Sequence, residues 1–418
     1  MKQIRITGGN KLSGTIKISG AKNSAVALIP AAILCDDKAT IFNVPNISDI
    51  DALNEILEYL GASVKRDGET MIIDSSTIVN KAIPKGISKK LRASYYFMSS
   101  LLGKYKKVEM YFPGGCSIGA RPIDQTLKGF RALGAEVIED GDKYTIYASE
   151  LHGGYVYLDV PSVGATINTI LVAAKANGTT IIENAAKEPE IVNVATFLNN
   201  MGAKITGAGT SQIKIVGVER LHSCMHEVIP DRIEAGTYII AGALMGENLK
   251  ISNLILDHVE SLTSKLIEIG AEIEEGNDYL IISRGNNYKN TKVKTLGYPG
   301  FPTDLQQPIT TLLTQCNGLS EVEETVYERR FQNIEFLNKM GADIRISDDK
   351  AFINGPSNLK GKEVTATDLR AGACLVLAGL VADGVTSIDN VEHILRGYEN
   401  IIEKLTNVGA KIELVDIQ

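Results

Sequence analysis

The sequence predicts an α/β protein built from six copies of one unit, divided three and three between two domains. Three observations support this. A Gly-Ala pair followed by a strand–turn–strand pattern recurs six times. Each copy carries one amphipathic and one uniformly apolar helical segment. At 418 residues the chain exceeds what a single ordinary core organises.

The copies are "YLGASVKRDGETMIID", "ALGAEVIEDGDKYTIYA", "NMGAKITGAGTSQIKIVG", "EIGAEIEEGNDYLIISR", "KMGADIRISDDKAFING" and "NVGAKIELVD". Their glycines, Gly61, Gly134, Gly202, Gly270, Gly341 and Gly409, are spaced by 73, 68, 68, 71 and 68 residues. A glycine here suits the left-handed turn that ends a helix before a strand. In the first copy Ile50, Leu53, Ile56, Leu57 and Leu60 form an apolar stripe at helical spacing. Earlier in each copy runs a greasier helix, such as "NSAVALIPAAIL" or "RAGACLVLAGL", whose small residues all round predict burial on every side. The opening strand "GTIKISG" has no helix before it, and the closing "KIELVD" has no return strand. The amino-terminal segment is therefore expected to complete the last unit, giving one domain over 22–229 and another over 1–21 plus 230–418.

Composition narrows the class of function. With 44% hydrophobic and 22% charged residues the chain reads as soluble and globular. A net charge of −7 opposes general binding to nucleic acid or to an anionic membrane, so an anionic ligand needs a local cluster of cations. No stretch is apolar enough for a signal peptide or a membrane span. Five cysteines without a CxxC pair fit a reducing cytoplasm. "HSCMH" sets His222, Cys224 and His226 at alternate positions, but no fourth ligand lies nearby and no metal site is expected.

Cations gather where helices begin. Thirteen residues before each Gly-Ala glycine stand Ser48, Arg121, Pro189, Asp257, Glu328 and Arg396, each expected at the start of its amphipathic helix. Arginine there opposes the helix dipole. It is either a solvated surface residue or the partner of an anion held at the helix start. The buried helices open with Lys22 and Asn23, with Arg92, with "PSVGAT" containing Ser162 and Gly164, with Arg232, with Asp304 and with Arg370. Lys22, Arg92, Arg121, Arg370 and Arg396 facing a common cleft would hold several phosphate or carboxylate groups.

Cys116 sits in "GGCSIGA", a loop that cannot pack a core, five residues before Arg121. It is either another small buried hydrophobe or a reactive thiol in an electropositive loop. Asp304 is either a helix N-cap or a site carboxylate.

The motifs "SGAKNSA", "LRAS", "PGGCSIGARPID", "PSVGAT", "AAKEPEIV", "PDRIEAGTY", "YPGFPTD", "ATDLRAGA" and "RGYE" together resemble the UDP-N-acetylglucosamine enolpyruvyl transferases of the EPSP synthase superfamily, over the whole chain. The resemblance implies two pseudo-symmetric inside-out α/β barrels of three repeats each, with the active site in the interdomain cleft. It implies enolpyruvyl transfer from phosphoenolpyruvate to the 3′-hydroxyl of a UDP-sugar in peptidoglycan synthesis, without cofactor or metal. Fosfomycin sensitivity is part of the same expectation.

It assigns Lys22 and Asn23 to phosphoenolpyruvate. Arg92, Arg121, Pro122, Ile123, Asp124, Gln125, Asp304 and Val326 go to the UDP-sugar, with Ser162, Gly164 and Arg232 as further substrate contacts. Arg121, Arg370 and Arg396 would surround the phosphate and carboxylate groups. Cys116 is the expected acid and Asp304 the base, with Lys22 and Arg396 stabilising charge. The chain departs from the family pattern at Gln125 and Thr126, at Val160–Pro161 and at Asn193, which bears on uridine contacts. A relative acting on another alcohol, or a nucleotide-sugar sensor without catalysis, are the competing readings. The partners are small molecules, and the oligomeric state is not readable from the sequence.

Overall fold

A computed structural model describes residues 2–112, 122–328 and 330–417. Cys116 and Arg121 lie outside the described residues. The chain divides into two compact units, one of residues 20–112 and 122–229, the other of residues 2–19 and 230–417.

Each unit puts helices inside and three small sheets outside. In the first, the helices Lys22–Ala31, Tyr96–Tyr105 and Val163–Ala173 pack in sequence, the middle one touching both others. In the second, Arg232–Met245, Gln306–Leu313 and Leu369–Val381 all touch one another. These six are the uniformly apolar segments, and nearly every residue in them is buried. Small side chains let their backbones approach, whereas an amphipathic helix would strand polar groups in the centre.

The strands alternate buried and half-exposed residues, as one-sided sheets require. Within a repeat, the first strand after the core helix pairs antiparallel with the return strand, and the strand after Gly-Ala lies at the edge. Lys38–Phe42, Thr70–Asp74 and Ser63–Asp67 show this order, with Ile41 opposite Met71. Cys224–Glu227 adds a parallel strand to Lys38–Phe42, so the last strand of this unit joins its first sheet. In the other unit Lys2–Thr7 lies between Val385–Asp389 and Lys411–Asp416, antiparallel to both. The final repeat thus takes its third strand from the amino terminus.

All six Gly-Ala glycines have φ between 92° and 108°. The alanine N–H after each closes back on the carbonyl five residues earlier, for example Ala62 to Leu57 at 2.9 Å and Ala410 to Leu405 at 3.0 Å. Any other residue there is strained by about 1 kcal/mol or more. Among the described residues no helix is long and apolar enough to cross a membrane.

Among the described residues, the count of thirteen marks a helix start in only two copies, at Ser48 and Pro189. Asp257 lies in a 3-10 turn ahead of Glu260–Ile269, and Asn333–Lys339 begins five residues after Glu328. Arg396 is corrected most. It follows the short helix Glu392–Leu395 as its C-cap, and the next helix starts only at Ile401. Gly397 presses against Leu369 and Asn400 turns left-handed at φ 50°, which interrupts the helix that periodicity alone would draw. The dipole therefore meets Arg396 at its negative end, reversing the expected sign.

Candidate active site

Asp304 belongs to a 3-10 turn, Thr303–Leu305, that leads into the core helix Gln306–Leu313. It caps neither element. Its carboxylate instead receives two guanidinium groups: Arg330 Nη2 donates to Oδ1 at 2.7 Å, and Arg370 Nη2 to Oδ2 at 3.2 Å. Arg330 is 3% and Arg370 4% exposed. Burial by itself would raise the Asp304 pKa, but Arg370, Arg330 and Arg232 outweigh it and hold the carboxyl well below the usual range. Asp304 is therefore an anion whose basicity its neighbours suppress.

Arg370 reaches this carboxylate because Asp368 caps the helix Leu369–Val381, accepting from the N–H groups of Arg370 and Ala371 at 2.8 and 3.0 Å. Arg330 was not anticipated from sequence. Its Nη1 donates to Thr303 Oγ1 at 2.9 Å, and Thr303 in turn donates to Glu324 Oε2 at 2.8 Å. Glu324, 3% exposed, also accepts from the Val326 N–H at 2.8 Å, which fixes the turn carrying Val326. The only sequence hint of this group was the charged run "VYERR" beside a strand. Asp231 caps Arg232–Met245, and the Arg232 guanidinium lies 5.6 Å from the Tyr298 ring.

In the other unit Lys22 is the first residue of its helix, and its ammonium lies 3.0 Å from Asp49. Asn23 follows it at the same helix start. Arg92 begins the 3-10 turn before Tyr96–Tyr105, 5.0 Å from the Phe112 ring and 5.9 Å from that of Tyr95. The Tyr95 hydroxyl fills the space where Gly164 lacks a side chain, since a Cβ there would meet it at 1.8 Å. Ser162 caps that helix, accepting from Ala165 N at 3.2 Å. The structure thus brings Arg92 and the 162–164 turn together through Tyr95.

Ile123 is the N-cap of the helix Asp124–Ala132, just after Pro122. Gln125 ties this helix start to Asp159, donating to its carboxylate at 3.0 Å and accepting its N–H at 2.8 Å. Its neighbour Thr126 is buried, and Val160 is exposed beside Asp159. The departure at Asn193 proves interior. Its amide accepts from Ser24 Oγ at 2.5 Å and faces His226 Nε2 at 2.9 Å. Asn200 engages the other ring nitrogen, so His226 of the "HSCMH" run is occupied by amides.

Burial pushes the thiols of Cys224 and Cys374 up to about 11 and that of Cys316 to about 12. Cys35 is likewise raised, chiefly by burial. All four are held protonated near neutrality, which suits packing and not nucleophilic chemistry.

The EPSP synthase (3-phosphoshikimate 1-carboxyvinyltransferase) family model matches residues 6–405. UDP-N-acetylglucosamine 1-carboxyvinyltransferase 2 of Geobacillus kaustophilus and of Bacillus subtilis are each 54% identical to this chain, covering 99% of it and 96% of their own length. The chain belongs to the UDP-N-acetylglucosamine 1-carboxyvinyltransferase family.

Solved enolpyruvyl transferases share the backbone. NikO from Streptomyces tendae matches with a TM-score of 0.91 and 26% identity over 100% of this chain and 99% of its own. EPSP synthase from Acinetobacter baumannii, at 17% identity and a TM-score of 0.77 over both whole chains, carries the likeness of fold alone. The enolpyruvyl transferase fold thus accounts for the two units of inside helices and outside sheets.

Proposed function

We propose that this enolpyruvyl transferase moves the enolpyruvyl group of phosphoenolpyruvate to the 3′-hydroxyl of UDP-N-acetylglucosamine, releasing phosphate, at the first committed step of peptidoglycan synthesis. The observation that carries the reading is 54% identity over nearly the whole chain to relatives named for this reaction. The Asp304 centre supplies a chemistry to match.

In the addition step Asp304 takes the proton of the sugar hydroxyl as its oxygen bonds to C2 of phosphoenolpyruvate. A proton reaches the methylene carbon at the same stage, from Cys116. In the elimination step that carbon loses a proton, the C2–O bond to phosphate breaks and phosphate leaves. The vinyl ether product and phosphate account for every atom. Lys22, Arg121, Arg370 and Arg396 hold the anionic groups and stabilise charge at C2.

The suppressed basicity of Asp304 fits this sequence. With Arg330 and Arg370 on its oxygens the carboxylate is a weak base. A phosphate or carboxylate that draws Arg370 away lessens the positive field and raises its proton affinity. Base strength then appears when substrate is in place. Asn23, Arg92, the 122–125 run, Ser162, Gly164, Arg232 and Val326 serve substrate positioning. We place the enzyme in the cytoplasm, where its described cysteines stay unpaired.

The test measures phosphate released from phosphoenolpyruvate with UDP-N-acetylglucosamine, with shikimate 3-phosphate, or with no acceptor. Release with the UDP-sugar alone supports the reading. Release with shikimate 3-phosphate instead, or with neither, overturns it.

A further inference from the structure

Beneath Arg370 runs a chain of hydrogen bonds that assigns each proton. The Arg370 Nη1 donates to the Tyr398 hydroxyl at 3.0 Å. That hydroxyl lies 2.9 Å from Thr237 Oγ1, and the Thr237 hydroxyl lies 2.9 Å from the Ile233 carbonyl. A carbonyl can only accept, so Thr237 donates to Ile233 and accepts from Tyr398. The phenol therefore gives its proton to Thr237 and turns a lone pair to Arg370. Burial raises the Tyr398 pKa, which keeps the phenol neutral and able to do both. Tyr398 is 1% and Thr237 2% exposed, so neither side chain is open to substrate.

A guanidinium is a rigid planar fork, and fixing both terminal nitrogens fixes its rotation. In Arg370 one nitrogen is held by Asp304 and the other by Tyr398. Without the phenol, the Asp304 carboxylate would compete for both nitrogens of the fork. Arg370 would then be less available to a substrate anion, and Asp304 would be a still weaker base. We infer that Tyr398, braced by Thr237, is a positioning residue that keeps one arm of the Arg370 fork off Asp304, so that an incoming anion can draw the guanidinium away from the carboxylate. The inference rests on the function proposed above.

The experiment compares the full-length protein with Tyr398→Phe, Thr237→Val and Thr237→Ser in steady-state phosphate release. The affinity for UDP-N-acetylglucosamine and the melting temperature are recorded for each. Phenylalanine keeps the ring packing and removes only the oxygen. The expected result is a fall of about tenfold in kcat/KM for phosphoenolpyruvate, the scale of one lost charge-assisted hydrogen bond, with UDP-sugar affinity changed less than about twofold. Thr237→Val, which breaks the chain at its far end, should show part of the same loss. Thr237→Ser, which keeps the hydroxyl, should recover most of it. Should Tyr398→Phe fail to fold, the valine and serine pair carries the test. Wild-type kinetics in Tyr398→Phe, or equal losses in Thr237→Val and Thr237→Ser, overturn the assignment while the reaction itself stands. An unmodified protein that releases no phosphate from these substrates overturns the underlying function and this inference with it.

Discussion

Arg330 holds Asp304 at 2.7 Å from inside the protein, with its guanidinium buried and no part in any motif that spacing revealed. The contact makes Arg330 a determinant of how basic Asp304 can be. Replacing it changes charge, burial and chemistry at once, and these separate experimentally.

Arg330→Met keeps the stem and removes the charge. One cation fewer lets the Asp304 pKa rise, so the acid limb of the kcat profile should move to higher pH. Stability should fall by roughly 2 kcal/mol, less than for a fully buried pair because Arg370 still neutralises the carboxylate. Denaturation and a pH–rate profile check the two effects. An unmoved acid limb would show that Asp304 is not the base.

The pH dependence of stability should have two parts of opposite sign. The Asp304 pKa is depressed on folding, so its contribution is present above about pH 4 and lost as pH falls below the unfolded value. Glu234 behaves in reverse. Burial, only partly offset by Lys404, raises it to about 7. Between about pH 4.5 and 7 the unfolded chain loses that proton while the folded one keeps it, so stability declines as pH rises, by on the order of 3 kcal/mol. Glu234→Gln should flatten this decline and leave the acid branch intact. Urea denaturation at several pH values reads it directly. A decline of roughly 1 kcal/mol or more that persists in the variant would assign it to another group.

Thiol labelling offers a third test. Because burial keeps Cys35, Cys224, Cys316 and Cys374 protonated, brief alkylation near neutral pH should modify Cys116 first. Peptide mass spectrometry identifies the site. Cys116→Ser should lose the label and most turnover while its melting temperature holds. Preferential label on Cys224, the half-exposed one of the four, would contradict the expectation.

Arg396→Ala tests the corrected helix position. As the C-cap of Glu392–Leu395 the cation opposes no dipole, so its removal should not stabilise the fold, and any loss should stay below roughly 1 kcal/mol. Catalysis should weaken by about 2 kcal/mol or more if Arg396 holds a substrate anion. A sharp drop in melting temperature with activity per folded molecule preserved would make this arginine structural.

The repeat, its helices and its turns were legible in the residues alone, because they obey short-range rules. A left-handed glycine such as Gly61 needs only its immediate chain to be recognised. So does the stripe Ile50, Leu53, Ile56, Leu57 and Leu60, or an apolar run without a polar face. Lys22, Asp304 and Arg370 also stood out, since charge at the start of a buried helix is conspicuous. What those residues face depends on contacts between distant parts of the chain. Asp304 meets Arg330 across 26 positions and Arg370 across 66, and Arg370 meets Tyr398 across 28. The break at Asn400 lies three residues after the close packing of Gly397 on Leu369, a contact that helical periodicity does not carry. Side-chain ionisation is settled in the same way, because desolvation and charge fall off with distance in space and not with separation along the chain.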